Sequence, residues 1–96
     1  MRRTLYRFLR NLAYLDWMVE TRIAPRYRVL KDATIEFGGM TIDCTVRDIS
    51  ITGAALEVPS QFGIPEKFTL IVSDDGLVLP CHVVWRSGYR IGVAFD

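Results

Sequence analysis

Hydrophobic positions change their spacing near residue 27. In residues 1–20 apolar side chains recur at about 100° per residue, and from Tyr27 onward apolar and polar residues alternate. The first spacing is typical of an amphipathic helix and the second of β-strands. We therefore divide the chain into an N-terminal amphipathic helix over residues 1–20 and a β-domain over residues 21–96.

The predicted helix has two contrasting faces. Arg3, Arg7 and Arg10 share the polar face, and charged residues interrupt any run long enough for a signal sequence or a membrane span. The apolar face consists of Leu5, Phe8, Leu9, Leu12, Leu15 and Val19. We expect this face to pack on the rest of the chain or on a second copy in a homodimer. The alternative is a helix that docks on another protein or lies on a membrane.

The alternating region predicts six strands. Gly38-Gly39 and Asp75-Gly76 supply the positive φ that tight hairpins need. Six short strands in about seventy residues favour a closed, mainly β, antiparallel barrel, because closure removes the exposed edges of so small a sheet. The predicted strands are 27–37, 40–48, 53–59, 67–73, 77–87 and 89–95.

Composition limits the function. Ninety-six residues form one small domain with little room for a deep pocket. The net charge is +1, but residues 1–31 hold eight cations against two carboxylates, so this segment carries +6 and the remainder −5. An anionic partner at the basic end is therefore worth considering.

Soft ligands and nucleophiles are sparse. Cys44 and Cys81 lie in apolar strand-like runs without metal-ligand spacing, which favours two reduced, packed thiols in a cytoplasmic protein over a disulfide or a metal site. His82 has no candidate nucleophile or orienting acid beside it and is interpreted as a solvated or satisfied strand residue. We expect no cofactor, no metal and no enzymatic activity.

The stretch "RDISITGAALEV", residues 47–58, interrupts the alternation with polar residues. Asp48 can accept two hydrogen bonds from a planar donor such as guanine, and Ser50 can donate and accept beside it. Gly53 would let the backbone approach a ligand closely or turn with positive φ. The stretch is thus either a ligand-binding edge or an ordinary turn in which Asp48 caps its own backbone.

A second stretch, "TRIAPRYRVLK", precedes the first strand. Arg22 and Arg26 are four residues apart, and Pro25 biases the segment toward an extended linker. Guanidinium groups bind phosphate bidentately and stack on purine rings. The linker is therefore either a phosphate-binding segment or a solvated basic tether.

The two stretches in this order resemble the PilZ family, whose pattern is RxxxR in an N-terminal loop and D/N-x-S-x-x-G on a barrel strand. Here these are Arg22-Ile-Ala-Pro-Arg26 and Asp48-Ile-Ser-Ile-Thr-Gly53, and "CHVVWRSGYRIGVAF" is similar to the closing strands. The resemblance implies a six-stranded barrel that binds cyclic di-GMP, a bacterial second messenger. It also implies that the arginines hold phosphate and guanine while the Asp and Ser read guanine edges.

One departure concerns Thr21, which stands where the family often has a second arginine. Either Arg28 compensates for it or the affinity is lower. We interpret the chain as a cyclic di-GMP receptor that acts on an unidentified protein partner when the ligand orders the Arg22–Arg26 linker. The alternative is a PilZ-like adaptor that does not bind nucleotide. A nucleic-acid-binding barrel is less favoured, because aromatic residues interleaved with basic ones on a strand face are sparse apart from Trp85-Arg86 and Tyr89-Arg90, and we assign Trp85 to the core or the barrel rim.

Overall fold

The computed structural model describes residues 2–12 and 26–96, which form one α-helix, six strands and a short 3-10 helix at Ser73–Asp75. Each predicted strand is confirmed to within two residues, because alternation and turn residues mark its limits. The predicted helix is present as far as Leu12, whereas its continuation to residue 20 and the boundary at residue 21 lie outside the described residues. The elements are α1 (Arg2–Leu12), β1 (Tyr27–Phe37), β2 (Met40–Ile49), β3 (Gly53–Glu57), β4 (Lys67–Val72), β5 (Leu77–Ser87) and β6 (Arg90–Phe95).

The strands form a closed antiparallel barrel in the order β1-β2-β3-β6-β5-β4, which confirms the predicted fold class. Pairing of Thr34, Ile35 and Glu36 with Ile71, Leu70 and Thr69 joins the first and last strands of this order. Alternate side chains point inward, as their burial shows: Ile35, Leu56, Leu70 and Ile91 are fully buried. The interior is therefore filled with aliphatic side chains, and polar chemistry is confined to the outer surface and the two ends.

Three segments that are distant in the sequence lie together at one end of the barrel. The antiparallel order places the start of β1, the β2–β3 turn and the β4–β5 turn at this end, which we call the helix end. An ion pair of 3.4 Å between Lys31 Nζ and Asp75 Oδ2 connects β1 to the β4–β5 turn. Thr4 of α1 lies beside Gly76 of the same turn, so the helix packs here.

Helix α1 buries its apolar face in the core of its own chain. Leu5, Phe8 and Leu9 belong to the same cluster of buried residues as the barrel interior, while Tyr6 and Arg7 are exposed. The side chain of Leu12, and Leu15 and Val19, lie outside the described part, and a homodimer through this helix stays a prediction. Among the described residues no helix has the length and hydrophobicity needed to span a membrane.

Both cysteines are free thiols, as expected from their positions in apolar runs. Cys44 and Cys81 are buried inside the barrel. Burial, followed by the nearby charge of Asp43, raises the pKa of the Cys44 thiol to about 12. Burial, followed by the charge of Asp96, likewise raises the pKa of Cys81 to about 12. The thiols therefore stay protonated at neutral pH.

Replacing Leu5, which is 0% exposed, with Ala should lower the free energy of unfolding by about 2–5 kcal/mol, since a cavity forms where the helix meets the barrel. Tyr6→Ala on the same helix is the matched control and should change stability little, because Tyr6 is 61% exposed. Urea unfolding monitored by circular dichroism measures both. Equal midpoints for the two variants would contradict packing of α1 on the barrel.

The raised pKa values predict that both thiols resist alkylation in the folded protein. A thiolate is the reactive species, and a thiol of pKa about 12 supplies very little of it at pH 8. Iodoacetamide followed by mass spectrometry should add no label to the native protein and two labels in denaturant. Rapid labelling of the native chain at either position would show that the thiol is not enclosed.

Candidate functional site

Asp48 reaches the outer surface because β2 contains one extra residue. On the β3 side the register slips between Val46 and Asp48, so Arg47 is the extra residue. On the β1 side it slips between Arg28 and Lys31, where two residues of β1 lie opposite Arg47 alone. Val46 and Ile49 are both buried although they are three residues apart, an odd spacing that an unbroken strand would place on opposite faces. The bulge thus turns Asp48 outward between two core residues.

The carboxylate of Asp48 binds the last arginine of the linker. Arg26 Nε donates to Asp48 Oδ1 at 2.9 Å, and Arg26 Nη2 lies 2.6 Å from the same oxygen. Arg28 is the residue directly opposite Asp48 on β1, is exposed, and makes no ion pair among the described residues. The fold therefore brings Arg26, Arg28 and Asp48 together, while Arg22 and Thr21 lie outside the described part.

Ser50 shapes the β2–β3 turn. Its Oγ accepts hydrogen bonds from the backbone N–H groups of Thr52 (3.1 Å) and Gly53 (3.2 Å), and its own N–H donates to the Gly53 carbonyl at 2.8 Å. The side chain is 0% exposed. Each of the two interpretations of this stretch therefore applies to a different residue. Ser50 makes the contacts of a turn, whereas Asp48 faces outward to Arg26 and does not cap its own backbone.

Gly53 is required by its neighbouring strand. A Cβ at this position would lie 2.2 Å from the carbonyl oxygen of Val93 on β6, far inside van der Waals contact. The sequence also suggested that Gly53 could turn with a positive φ, and that alternative is wrong, since Gly53 is not among the glycines with positive φ. The close approach that excludes a side chain is therefore made by β6 of the same barrel.

A row of outward-facing positions runs from Asp48 across the barrel. Asp48 pairs with Ala55, Ala55 with Gly92, and Gly92 with Trp85. The indole of Trp85 lies over Gly92, where a Cβ would be only 2.0 Å from its Nε1. Trp85 is 44% exposed, so part of its side chain remains on the surface, and of the two predicted positions, core or barrel rim, the core is wrong. The row forms a floor of small residues between Asp48 and Trp85.

Sequence reasoning did not place Trp85 in the same row as Asp48, because strand alternation alone cannot show which distant strand lies beside another. Two further cations border the same floor. Arg47 Nη1 lies 3.0 Å from Glu57 Oε1, and Arg90 is the residue opposite Glu57 on β6. The carboxylate of Glu57 therefore pairs with Arg47 at one margin of the floor, and Arg90 is its neighbour in the strand register.

A cleft of about 740 Å³ lies on the other side of Glu57 from the row and is chemically unsuited to an anion. Asp32, Asp43, Glu57 and Asp74 line it, and none of the described Lys or Arg residues does. Carboxylates repel a phosphate, so the size of this cleft does not make it the candidate site. The site at Asp48 is instead an open surface with cations on it.

His82 has a structural partner. Its Nδ1 lies 2.7 Å from Asp96 Oδ1, which agrees with the interpretation of a satisfied strand residue. Within residues 2–12 and 26–96, no group of His, Cys, Asp and Glu side chains could hold a metal ion.

Comparison with known proteins identifies one family. The family model described as PilZ domain matches residues 20–96, which is most of the chain and includes both arginine and aspartate stretches. A search of curated proteins found no match.

Ser50→Ala should lower the free energy of unfolding by about 1–3 kcal/mol, because it leaves buried N–H groups of the turn without an acceptor. Ser60→Ala is the matched control: Ser60 Oγ also accepts a backbone hydrogen bond, from Phe62, but in an exposed loop where water can replace it. Thermal unfolding of both variants tests the difference. Equal loss in the two variants would show that the Ser50 turn is not a buried element.

Proposed function

The chain belongs to the PilZ domain family, and we propose that it binds cyclic di-GMP and passes this signal to a protein partner. PilZ domains are binding and adaptor modules in signalling and not enzymes. The finer assignment to this chain, including the ligand residues, the partner and a cytoplasmic location, is the proposal. It is supported chiefly by the meeting of Arg26 with Asp48 on the outer surface beside Arg28.

The chemistry of the ligand matches this surface. Cyclic di-GMP carries two phosphodiester charges, and guanine presents adjacent N–H donors on one edge. Arg26 and Arg28 supply guanidinium groups for phosphate, and Arg22 would add a third from the linker. Asp48 supplies carboxylate oxygens for the guanine edge.

The remaining residues of the motif determine the shape of the proposed site. Ser50 holds the turn that follows Asp48, and Gly53 allows β6 to lie close enough for the floor to continue to Gly92. Gly92 leaves room for the Trp85 indole, and the exposed part of Trp85 offers an aromatic surface at the far margin of the row. In this proposal Ser50 and Gly53 build the site, and Asp48 and the arginines contact the ligand.

Transmission of the signal follows from the arrangement at the helix end. Arg26 begins the barrel domain, and the segment that contains Arg22 connects it to α1. Helix α1 packs on the turn between β4 and β5 at this same end. A ligand that draws the linker onto the barrel would therefore change the position of α1, which makes the helix the output surface for a protein partner.

Isothermal titration calorimetry with cyclic di-GMP, GTP and a short single-stranded RNA tests the function. We expect binding of cyclic di-GMP in preference to the other two. Arg22→Ala and Arg26→Ala should each weaken it by about 1.5–3 kcal/mol, the range for hydrogen bonds to charged groups. Lys67→Ala is the matched control, since Lys67 is an exposed cation on β4, away from the site.

Three results would separate the alternatives. Tight binding of RNA in place of cyclic di-GMP would assign the chain to nucleic-acid recognition. No binding of any of the three would leave an adaptor that works without nucleotide. Unchanged affinity in the Arg22→Ala/Arg26→Ala double variant would place the ligand elsewhere on the barrel.

A further inference from the structure

We propose that Asp48 has a second role besides reading guanine: it positions Arg26 for phosphate, and their ion pair persists when the ligand binds. This inference rests on the proposed function. It differs from an opposite possibility, in which the pair blocks the site and must break before the ligand can enter.

The geometry of the pair leaves binding groups available on both partners. The Nε and Nη2 atoms of Arg26 both contact Oδ1 of Asp48, at 2.9 and 2.6 Å. Among the described residues, Asp48 Oδ2 and Arg26 Nη1 have no partner. The carboxylate can therefore accept from a guanine edge through Oδ2 while the guanidinium donates to a phosphate through Nη1.

The position of the two residues in the fold also favours positioning. Arg26 precedes the first residue of β1, so strand pairing does not hold it, whereas Asp48 lies within β2 and pairs with Arg28 and Ala55. The ion pair thus attaches the less constrained residue to the more constrained one. A guanidinium held by two donors on one oxygen has lost much of its rotational freedom before a phosphate arrives, which lowers the cost of binding.

The exposure of the pair argues against a block. The side chains are 50% and 30% exposed, and half-exposed pairs change an equilibrium by about fivefold at most. A barrier of that size would hardly keep a dianionic ligand out. A preference of about fivefold is nevertheless sufficient to hold the Arg26 side chain in the orientation that binds phosphate.

A double-mutant cycle distinguishes the two roles by the sign of the coupling. The affinity for cyclic di-GMP is measured for the wild type, Arg26→Ala, Asp48→Ala and the double variant. If Asp48 positions Arg26, the Asp48→Ala variant also loses part of the arginine contact. The double variant should then lose less affinity than the product of the two single losses, by about fivefold.

The matched control is the same cycle with Arg28→Ala in place of Arg26→Ala. Arg28 lies directly opposite Asp48 but forms no ion pair among the described residues. We expect the losses of Arg28→Ala and Asp48→Ala to multiply without coupling. Circular dichroism and the urea midpoint of each variant verify that it folds.

A spectroscopic measurement gives an independent readout. In the wild type, the Arg26 Nε–H signal in ¹H–¹⁵N spectra should be resolved from those of the other arginines before ligand is added, should remain so in the complex, and should be lost in Asp48→Ala.

A loss of affinity in the double variant larger than the product of the single losses would show that the pair is a block. Uncoupled losses, or disappearance of the Arg26 signal on binding, would also overturn the inference. Failure of the wild type to bind cyclic di-GMP would instead overturn the proposed function, and the inference with it.

Discussion

The pairing of β1 with β4 closes the sheet, and the rest of the structure depends on this closure. Once the barrel is closed, every strand residue points either into a small aliphatic interior or out to solvent. The interior is filled by residues such as Ile35, Leu56 and Leu70, which leave no room for a ligand. Any residue that recognises a polar ligand must therefore stand on the outside or at an end.

The bulge at Arg47 reconciles that constraint with the sequence of β2. Val46 and Ile49 both belong to the core, and in a regular strand two residues three apart cannot share a face. The extra residue lets both remain inside and turns Asp48 outward, next to the start of β1. The alternation is therefore irregular because the bulge places a carboxylate on the barrel surface. The hydrogen bonds of the Ser50 turn fix the chain directly after the bulge.

In the proposed function, a large polar ligand binds to an open surface of this small domain and not in a deep pocket. The row from Asp48 through Ala55 and Gly92 to Trp85 faces outward from the barrel. In the proposal, cover for the ligand comes from the arginine-containing linker, which precedes β1 in the sequence. The same linker connects β1 to α1 along the chain, so in the proposal recognition and output share one end of the barrel.

The sequence by itself determined the elements of this protein and the residue types of its candidate site. Alternation and turn glycines located six strands, and the spacing of Leu5, Phe8 and Leu9 showed which helix face would be buried, because these signals are local. Tertiary structure alone decided that Asp48 binds Arg26, that Ser50 supports a turn, that Gly53 makes room for β6, and that Trp85 borders the same floor. Each of these depends on which residues from distant strands meet in register, and register follows from the closure of the whole barrel, a property that no short segment carries.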